Sequence, residues 1–243
     1  MKKAIGYVYV IAAAVCWGFL GLFNRVLTAA GVSLLNMMPL RFGGTAILFT
    51  VFCMMFKQQV FHIKLRHLPI FLGSGLISML LVLCGCALVS GIVGSDVGIS
   101  LEGLLMGLAS ELCYGGYTIF THYGMRYCDS FTMEYWTFLI AGIASLFLAD
   151  GPALLSALAE PRTGLAALGL MVMGTALPFT LYTKGLETVE SGKAAIIANI
   201  EPVMSAVIGV TVFQETLGLW TLVGIVLVLS GVVVLACEKE PDK

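Results

Sequence analysis

Along this chain, long apolar runs alternate with short polar breaks. The runs cover residues 4–28, 34–56, 68–93, 101–121, 131–149, 164–186, 194–213 and 219–236. Each is close to the ~20 mainly apolar residues that carry an α-helix across a hydrocarbon layer. The breaks carry turn chemistry, in Gly31-Val32-Ser33, Gly94-Ser95-Asp96, Asp129-Ser130, Asp150-Gly151-Pro152 and Glu190-Ser191-Gly192. The pattern predicts an all-α integral membrane protein with about eight transmembrane helices.

Composition supports that reading. Of the 243 residues, 59% are hydrophobic and 11% charged, and mean hydropathy is +1.00. Soluble domains carry about 25% charged residues, and a soluble fold of this size would expose large apolar patches. Neither the net charge of -1 nor any basic tail or stripe points to nucleic acid, and none is expected as a partner. Of the seven cysteines, Cys16, Cys53, Cys84, Cys86, Cys113 and Cys237 sit in or beside apolar runs, and none forms a C-x-x-C pair. They read as small buried residues rather than disulfides or metal ligands. Lys2 and Lys3 ahead of an apolar run resemble a secretory leader, but the run is too long for one. A retained first span is expected.

An even number of spans puts both termini on one side. With the N-terminus inside, that side holds Lys2, Lys3, Lys57, Lys64, Arg66, Arg126, Lys184, Lys193, Lys239 and Lys243, whereas the outer loops hold Arg162. Because cytoplasmic loops collect Lys and Arg, both termini are expected in the cytoplasm of a cell bounded by this inner or plasma membrane. Arg25 and Arg41 fall within spans toward the outer end. Arg25 is expected to snorkel to the surface.

The chain also repeats itself. Cys16-Trp17-Gly18 aligns with Cys113-Tyr114-Gly115 at a shift of 97, which also pairs Phe23 with Phe120 and Ser33 with Ser130. Gly75 then meets Gly174 at a shift of 99, and Val82-Leu83-Cys84-Gly85 meets Val228-Leu229-Ser230-Gly231 at 146. The jump of 47 positions reads as a deletion that fuses the front of one helix to the back of another near Leu81–Leu83. A first repeat over residues 1–98, shortened to three helices, would thus precede a complete five-helix repeat over 99–243. Copies offset by an odd number of spans insert in opposite senses, as an inverted repeat.

Several residue blocks bring a family into view: Trp17-Gly18, Leu40-Arg41-Phe42, Ser191-Gly192-Lys193-Ala194-Ala195, Ile200-Glu201-Pro202-Val203 and Gln214-Glu215-Thr216-Leu217 before Gly224 and Gly231. With these, the chain resembles the EamA-type transporters of the drug/metabolite transporter superfamily. The resemblance implies ten helices in two inverted repeats, a central cavity and transport of small metabolites. This chain departs from it by lacking the first-half counterpart of the Glu201-Pro202 hairpin.

Glu201 lies about eight residues, roughly 12 Å, into its span, where a carboxylate costs on the order of 2.5–3.5 kcal/mol. It is expected to face a wet cavity or a partner, as a substrate or coupling-ion group or as a structural pair. Glu111 sits at similar depth, and Arg41 is the counter-ion expected for one of the two. Trp17 and Tyr114, at equivalent repeat positions, either line a cavity, with ring faces open to a cation, or pack the core. Asn24 and Asn199 read equally as solute contacts or interhelical hydrogen bonds. Pro39, Pro178 and Pro202 are expected to bend their helices.

Enzyme signals are missing. His62, His67 and His122 make no H-E-x-x-H or other ligand spacing, and no phosphate-cradling glycine loop occurs. No cofactor or metal is therefore expected. Two functions remain: a secondary transporter of a small-molecule metabolite in a lipid bilayer, or an inactive or structural remnant left by the internal deletion. A homodimer is one way to replace the lost helices.

Overall fold

The computed structural model describes residues 2–89 and 101–237, apart from the side chains of 81–89, Glu111 and a few other helix positions. Those residues form nine helices: α1 Ala4–Ala29, α2 Leu35–Phe56, α3 Leu68–Val89, α4 Leu101–Gly124, α5 Ser130–Leu146, α6 Gly151–Leu158, α7 Pro161–Leu186, α8 Ser191–Phe213 and α9 Leu219–Cys237. Each of the eight apolar runs is helical over most of its described part, the run 131–149 ending its helix at Leu146. Among the described residues, α1, α2, α7 and α8 are long and apolar enough to cross a bilayer. Helix α6 turns away from α5 by 113°. Asp150 caps its start by accepting a bond from the Ala153 N–H at 3.3 Å, and Pro152 stands in its first turn. The expected fusion near Leu81–Leu83 falls on side chains outside the described residues.

The bundle is apolar outside and hydroxylated within. Phe56, Phe147 and Leu165 are among the large side chains turned outward, as lipid permits. Thr45, Ser74, Thr121, Thr137, Thr175 and Thr183 are fully buried, because a hydroxyl facing hydrocarbon would lose its hydrogen bonds. Ser74 of α3 meets Thr137 of α5 at 2.9 Å and Thr121 of α4 at 3.4 Å, so one hydroxyl knot fastens three helices.

Close packing runs through glycines where helices cross. Helices α1 and α7 meet at Gly6 and Gly185, α1 meets α8 at Gly18 and Met204, and α2 meets α5 at Gly43 and Gly142. A Cβ on Gly142 would stand 2.8 Å from the Cα of Gly43. No side chain fits there.

Three helices are irregular beside a proline. Helix α2 widens into a π turn over Pro39–Gly44, where Pro39 withholds the N–H that would bond the carbonyl one turn back. Helix α7 widens over Val172–Ala176, just ahead of Pro178. Hydroxyls take up the loosened carbonyls there: Thr175 Oγ1 donates to Leu170 O at 3.0 Å, and Thr45 Oγ1 of α2 donates to Met171 O at 3.2 Å. Helix α8 breaks at Asn199 between Ser191–Ala198 and Ile200–Phe213, because Pro202 cannot donate to the carbonyl of Ala198. The Asn199 N–H bonds three residues back instead, to Ile196 O at 3.2 Å.

The breaks between helices gather at two ends. At one, Lys57 pairs with Asp129 at 2.6 Å, and the rings of His67 and Tyr127 lie 4.5 Å apart. At the other, Arg25 pairs with Glu215 at 2.5 Å and stands 4.3 Å from the centre of the Phe213 ring. Asn36 Oδ1 there accepts the Asp150 N–H at 2.8 Å. Arg25 thus extends toward the end of the bundle, as expected, but pairs with a carboxylate on arrival.

Partial burial of Asp129 favours its neutral form, yet hydrogen bonds from Lys57 and Thr132 outweigh that, so the carboxyl stays below its ordinary range. A depressed carboxyl stabilises the fold above its unfolded pKa of about 3.9 and loses that contribution as pH falls through the folded value. Because both partners are half exposed, screening holds the contribution to about 0.5–1 kcal/mol. Asp129→Asn should therefore lower the unfolding midpoint of solubilised protein slightly at pH 7, with the difference vanishing in strong acid. A difference independent of pH would assign the effect to packing instead.

Candidate functional site

The middle of the bundle is a cluster of rings from α1, α4 and α7. Trp17 is 4% exposed and sits with its ring 5.0 Å from Phe179, 5.4 Å from Tyr182 and 6.4 Å from Tyr114. Tyr114 and Tyr182 lie 6.0 Å apart, and Phe179 extends the cluster to Tyr117 at 5.6 Å and to Phe138 of α5 at 5.2 Å. Most pairs meet edge to face or tilted, as ring quadrupoles favour. Gly18 allows this arrangement: a Cβ there would lie 2.4 Å from the Met204 Cβ, so α1 presses against α8 while Trp17 points inward.

Polar atoms inside the cluster are under-satisfied. Trp17 Nε1 is buried without a hydrogen-bond partner among the described residues. The Tyr114 hydroxyl sits beside that of Tyr182 without the geometry of a bond, and Thr118 Oγ1 meets the Tyr182 hydroxyl at 3.3 Å instead. Buried donors left unmade each cost about 1–3 kcal/mol, which makes this a place where a polar solute would gain bonds.

The structure brings several of the expected residues together here. Trp17 and Tyr114 touch. The Arg41 guanidinium lies 5.8 Å from the Phe179 ring centre and 5.9 Å from that of Phe42. Glu201, half-buried in the first turn after the α8 break, is close enough to act electrostatically on the Tyr114 hydroxyl. A carboxylate there also suits the positive end of the second α8 segment. Arg41 and Glu201 are both partnered in the structure. Glu111 is three residues before Tyr114 on α4, and its side chain is outside the described residues. Asn24 is half-buried two turns beyond Trp17 and takes no part in the ring contacts. Asn199 is exposed, and its amide donates to Ala195 O of its own helix at 3.3 Å.

One buried charge-bearing group was not anticipated. Glu134 is 0% exposed, and its Oε1 accepts from the Tyr117 hydroxyl at 2.6 Å and from the Thr183 hydroxyl. It joins α4, α5 and α7 just beside the ring cluster. The sequence carried a signal for it, since Glu134 is the one Asp, Glu, Lys or Arg in the run 131–149. It lies only a turn inside the run, and its partners come from helices 17 and 49 positions away. Tyr182 and Phe179 went unremarked because an aromatic residue in an apolar run has no distinguishing pattern.

The rings pack against one another at the centre. An open cleft of about 160 Å³ lies instead at the Arg25 end, among Val26, Ala29, Ala30, Glu160, Arg162 and Thr163. It shares no residue with the ring cluster and lies against the surface.

Comparison with known proteins identifies the family. Residues 101–237 match the EamA-like transporter family. Among similar proteins are an uncharacterized transporter of Archaeoglobus fulgidus, 41% identical over 28% of this chain and 25% of its own length, and the uncharacterized transporter YwfM of Bacillus subtilis, 26% identical over 70% and 57%. The uncharacterized inner membrane transporter YicL of Salmonella typhimurium is 28% identical over 60% of this chain and 48% of its own. The chain thus spans between a quarter and a little over half the length of these relatives. No solved structure matches it. With more than half of its residues covered by the family match, an all-helical bundle and lipid-suited surfaces, this multi-pass membrane protein belongs to the EamA-like transporter family.

Proposed function

We propose that the chain is a secondary transporter that carries a small organic metabolite through the middle of the bundle. The observation that carries this is the meeting of Trp17 and Tyr114, from corresponding places in the two repeats, beside Arg41 and Glu201. Residues related by a two-fold axis meet where that axis passes, and transporter sites lie at such repeat interfaces. The surrounding helices α2, α7 and α8 are all irregular near this level, and interrupted helices are where backbone can change shape. In this reading the repeats are 1–98 and 99–243, eight spans cross the plasma membrane, and the Lys- and Arg-rich end with both termini faces the cytoplasm. The ring cluster is the closed wall between two access routes, and ion or solute gradients supply the energy.

Purified protein in liposomes, offered a panel of radiolabelled amino acids and organic cations, should accumulate at least one above empty vesicles. Glu201→Gln should cut that uptake about tenfold, the equivalent of ~1.4 kcal/mol. Unchanged uptake and unchanged pH dependence in the variant would remove Glu201 from the mechanism.

A second reading, a remnant without transport activity, draws support from α9, whose described large residues are mostly exposed. Restoring a five-helix first half should then create uptake that the chain alone lacks. A second copy of the chain covering α9 is the related alternative, and light scattering of detergent-solubilised protein that found only monomer would dismiss it.

A further inference from the structure

The carboxyl buried next to the ring cluster is built differently from a structural ion pair. Tyr117 and Thr183, both fully buried, direct their hydroxyls at the same oxygen of Glu134, Oε1, with the single Thr183 proton shared between Oε1 and Phe179 O at 2.8 Å. The other oxygen, Oε2, is buried and has no hydrogen-bond partner among the described residues. Among the described side chains, titratable or charged groups on the packed elements are Cys113, Tyr114, Tyr117, His122 and Tyr123 on α4, Arg162, Tyr182 and Lys184 on α7, and Arg41 and Cys53 on α2. None of them forms an ion pair with Glu134, and Lys184 pairs with Glu187 at 2.8 Å. The described part of α3 presents Ser74 and Ser78, which carry no charge.

We propose that Glu134 Oε2 is a proton-exchange site whose occupancy is coupled to the packing of the Trp17 ring cluster. A metal cation needs several oxygens converging on it, whereas among the described residues no acidic group joins Oε2; a proton needs one lone pair. Uptake forms an O–H bond on Oε2 and leaves a neutral acid, and release leaves a carboxylate held through Oε1. The two forms pull differently on the same two hydroxyls, because hydrogen bonds to a charged oxygen are roughly twice as strong as those to a neutral one. Tyr117 is edge-on to Phe179, which is edge-on to Trp17, and Thr183 follows Tyr182, whose ring also touches Trp17. A change of charge at Glu134 therefore acts on α4 and α7 at the point where they hold the central rings. The inference rests on the transport reading for what the proton drives, but proton binding itself does not need it.

Infrared difference spectroscopy of the purified full chain across a pH titration tests the site without any solute. The wild type should show a carboxylic acid C=O band that vanishes as pH rises, and Glu134→Gln should lack it. Thr183→Val and Tyr117→Phe should keep the band but move it to higher frequency, since the carbonyl oxygen loses a hydrogen bond. These two variants also assign the band if Glu134→Gln does not fold. Trp17 emission, read with Trp136→Phe and Trp220→Phe in place, should shift over the same pH range and cease to shift in Glu134→Gln. A Glu134 band that persists at every pH, or the lack of any such band, overturns the site. Emission that ignores pH overturns the coupling. A titrating band in a protein that moves no solute would sink only the transport reading.

Discussion

Leucine in place of Gly142 should force α2 away from α5 and destabilise the bundle more than any other single change on a helix face. The π turn Pro39–Gly44 brings the backbone of α2 so close that a Cβ on Gly142 would meet Gly43 Cα at 2.8 Å and Gly43 N at 3.0 Å. Both obstacles are backbone, so no side-chain rotation relieves them. Overpacking costs about 1–3 kcal/mol when side chains can yield, and about 3 kcal/mol or more is expected here. Moving α2 also strains the Thr45 bond to Met171 O and the Thr50 hydroxyl contact with Tyr135 at 3.3 Å. A chain of this size loses roughly 2–4 °C of melting temperature per kcal/mol. Gly224→Leu supplies the comparison, because none of the described residues lies within 4 Å of a Cβ there. Equal melting temperatures for the two variants would show that the α2–α5 crossing is looser than described.

Trp17→Ala should be the second most damaging change, and it should harm function beyond stability. The indole contacts Phe179, Tyr182 and Tyr114, so its removal leaves a large void where α1, α4 and α7 meet. Aromatic-to-alanine changes in cores cost about 3–5 kcal/mol, part transfer and part cavity. The transfer part shrinks when the reference environment is lipid, while the lost dispersion contacts remain. The lower end, about 3 kcal/mol, is therefore expected in thermal unfolding. Trp17→Phe retains most of the volume and should recover most of the stability without restoring the Nε1 donor. If uptake survives in Trp17→Ala protein that remains folded, the ring cluster is packing and the solute path lies elsewhere.

Much of this architecture was readable from composition and spacing. Lipid accepts apolar helices on every side, so the breaks alone locate the elements, and charges collect at helix ends because the hydrocarbon interior repels them. The same tolerance hides which way each helix faces. A helix apolar all round carries no stripe to show its inner side, and α3 and α9 are of that kind. Trp17 and Tyr114 could be matched by their local sequence, Cys16-Trp17-Gly18 against Cys113-Tyr114-Gly115, whereas Tyr182 and Phe179 look like any other aromatics in an apolar run. Asn199 illustrates the ambiguity: at mid-span it is as suited to a solute as to a backbone carbonyl, and it bonds Ala195 O.

The sequence by itself determined that the chain is a membrane-embedded helical bundle, where its long helices begin and end to within a few residues, and which family it belongs to; the short helix α6, inside the expected break 150–163, carried no long apolar run to mark it. Only the tertiary structure decided that Glu134, a turn inside its run, is buried against Tyr117 and Thr183, and that Arg25 ends its reach on Glu215. The reason is that hydrophobicity acts locally along the chain and sets the elements. Helix rotation is set by close packing and hydrogen bonds between residues far apart in the chain, and one sequence carries no pattern for those.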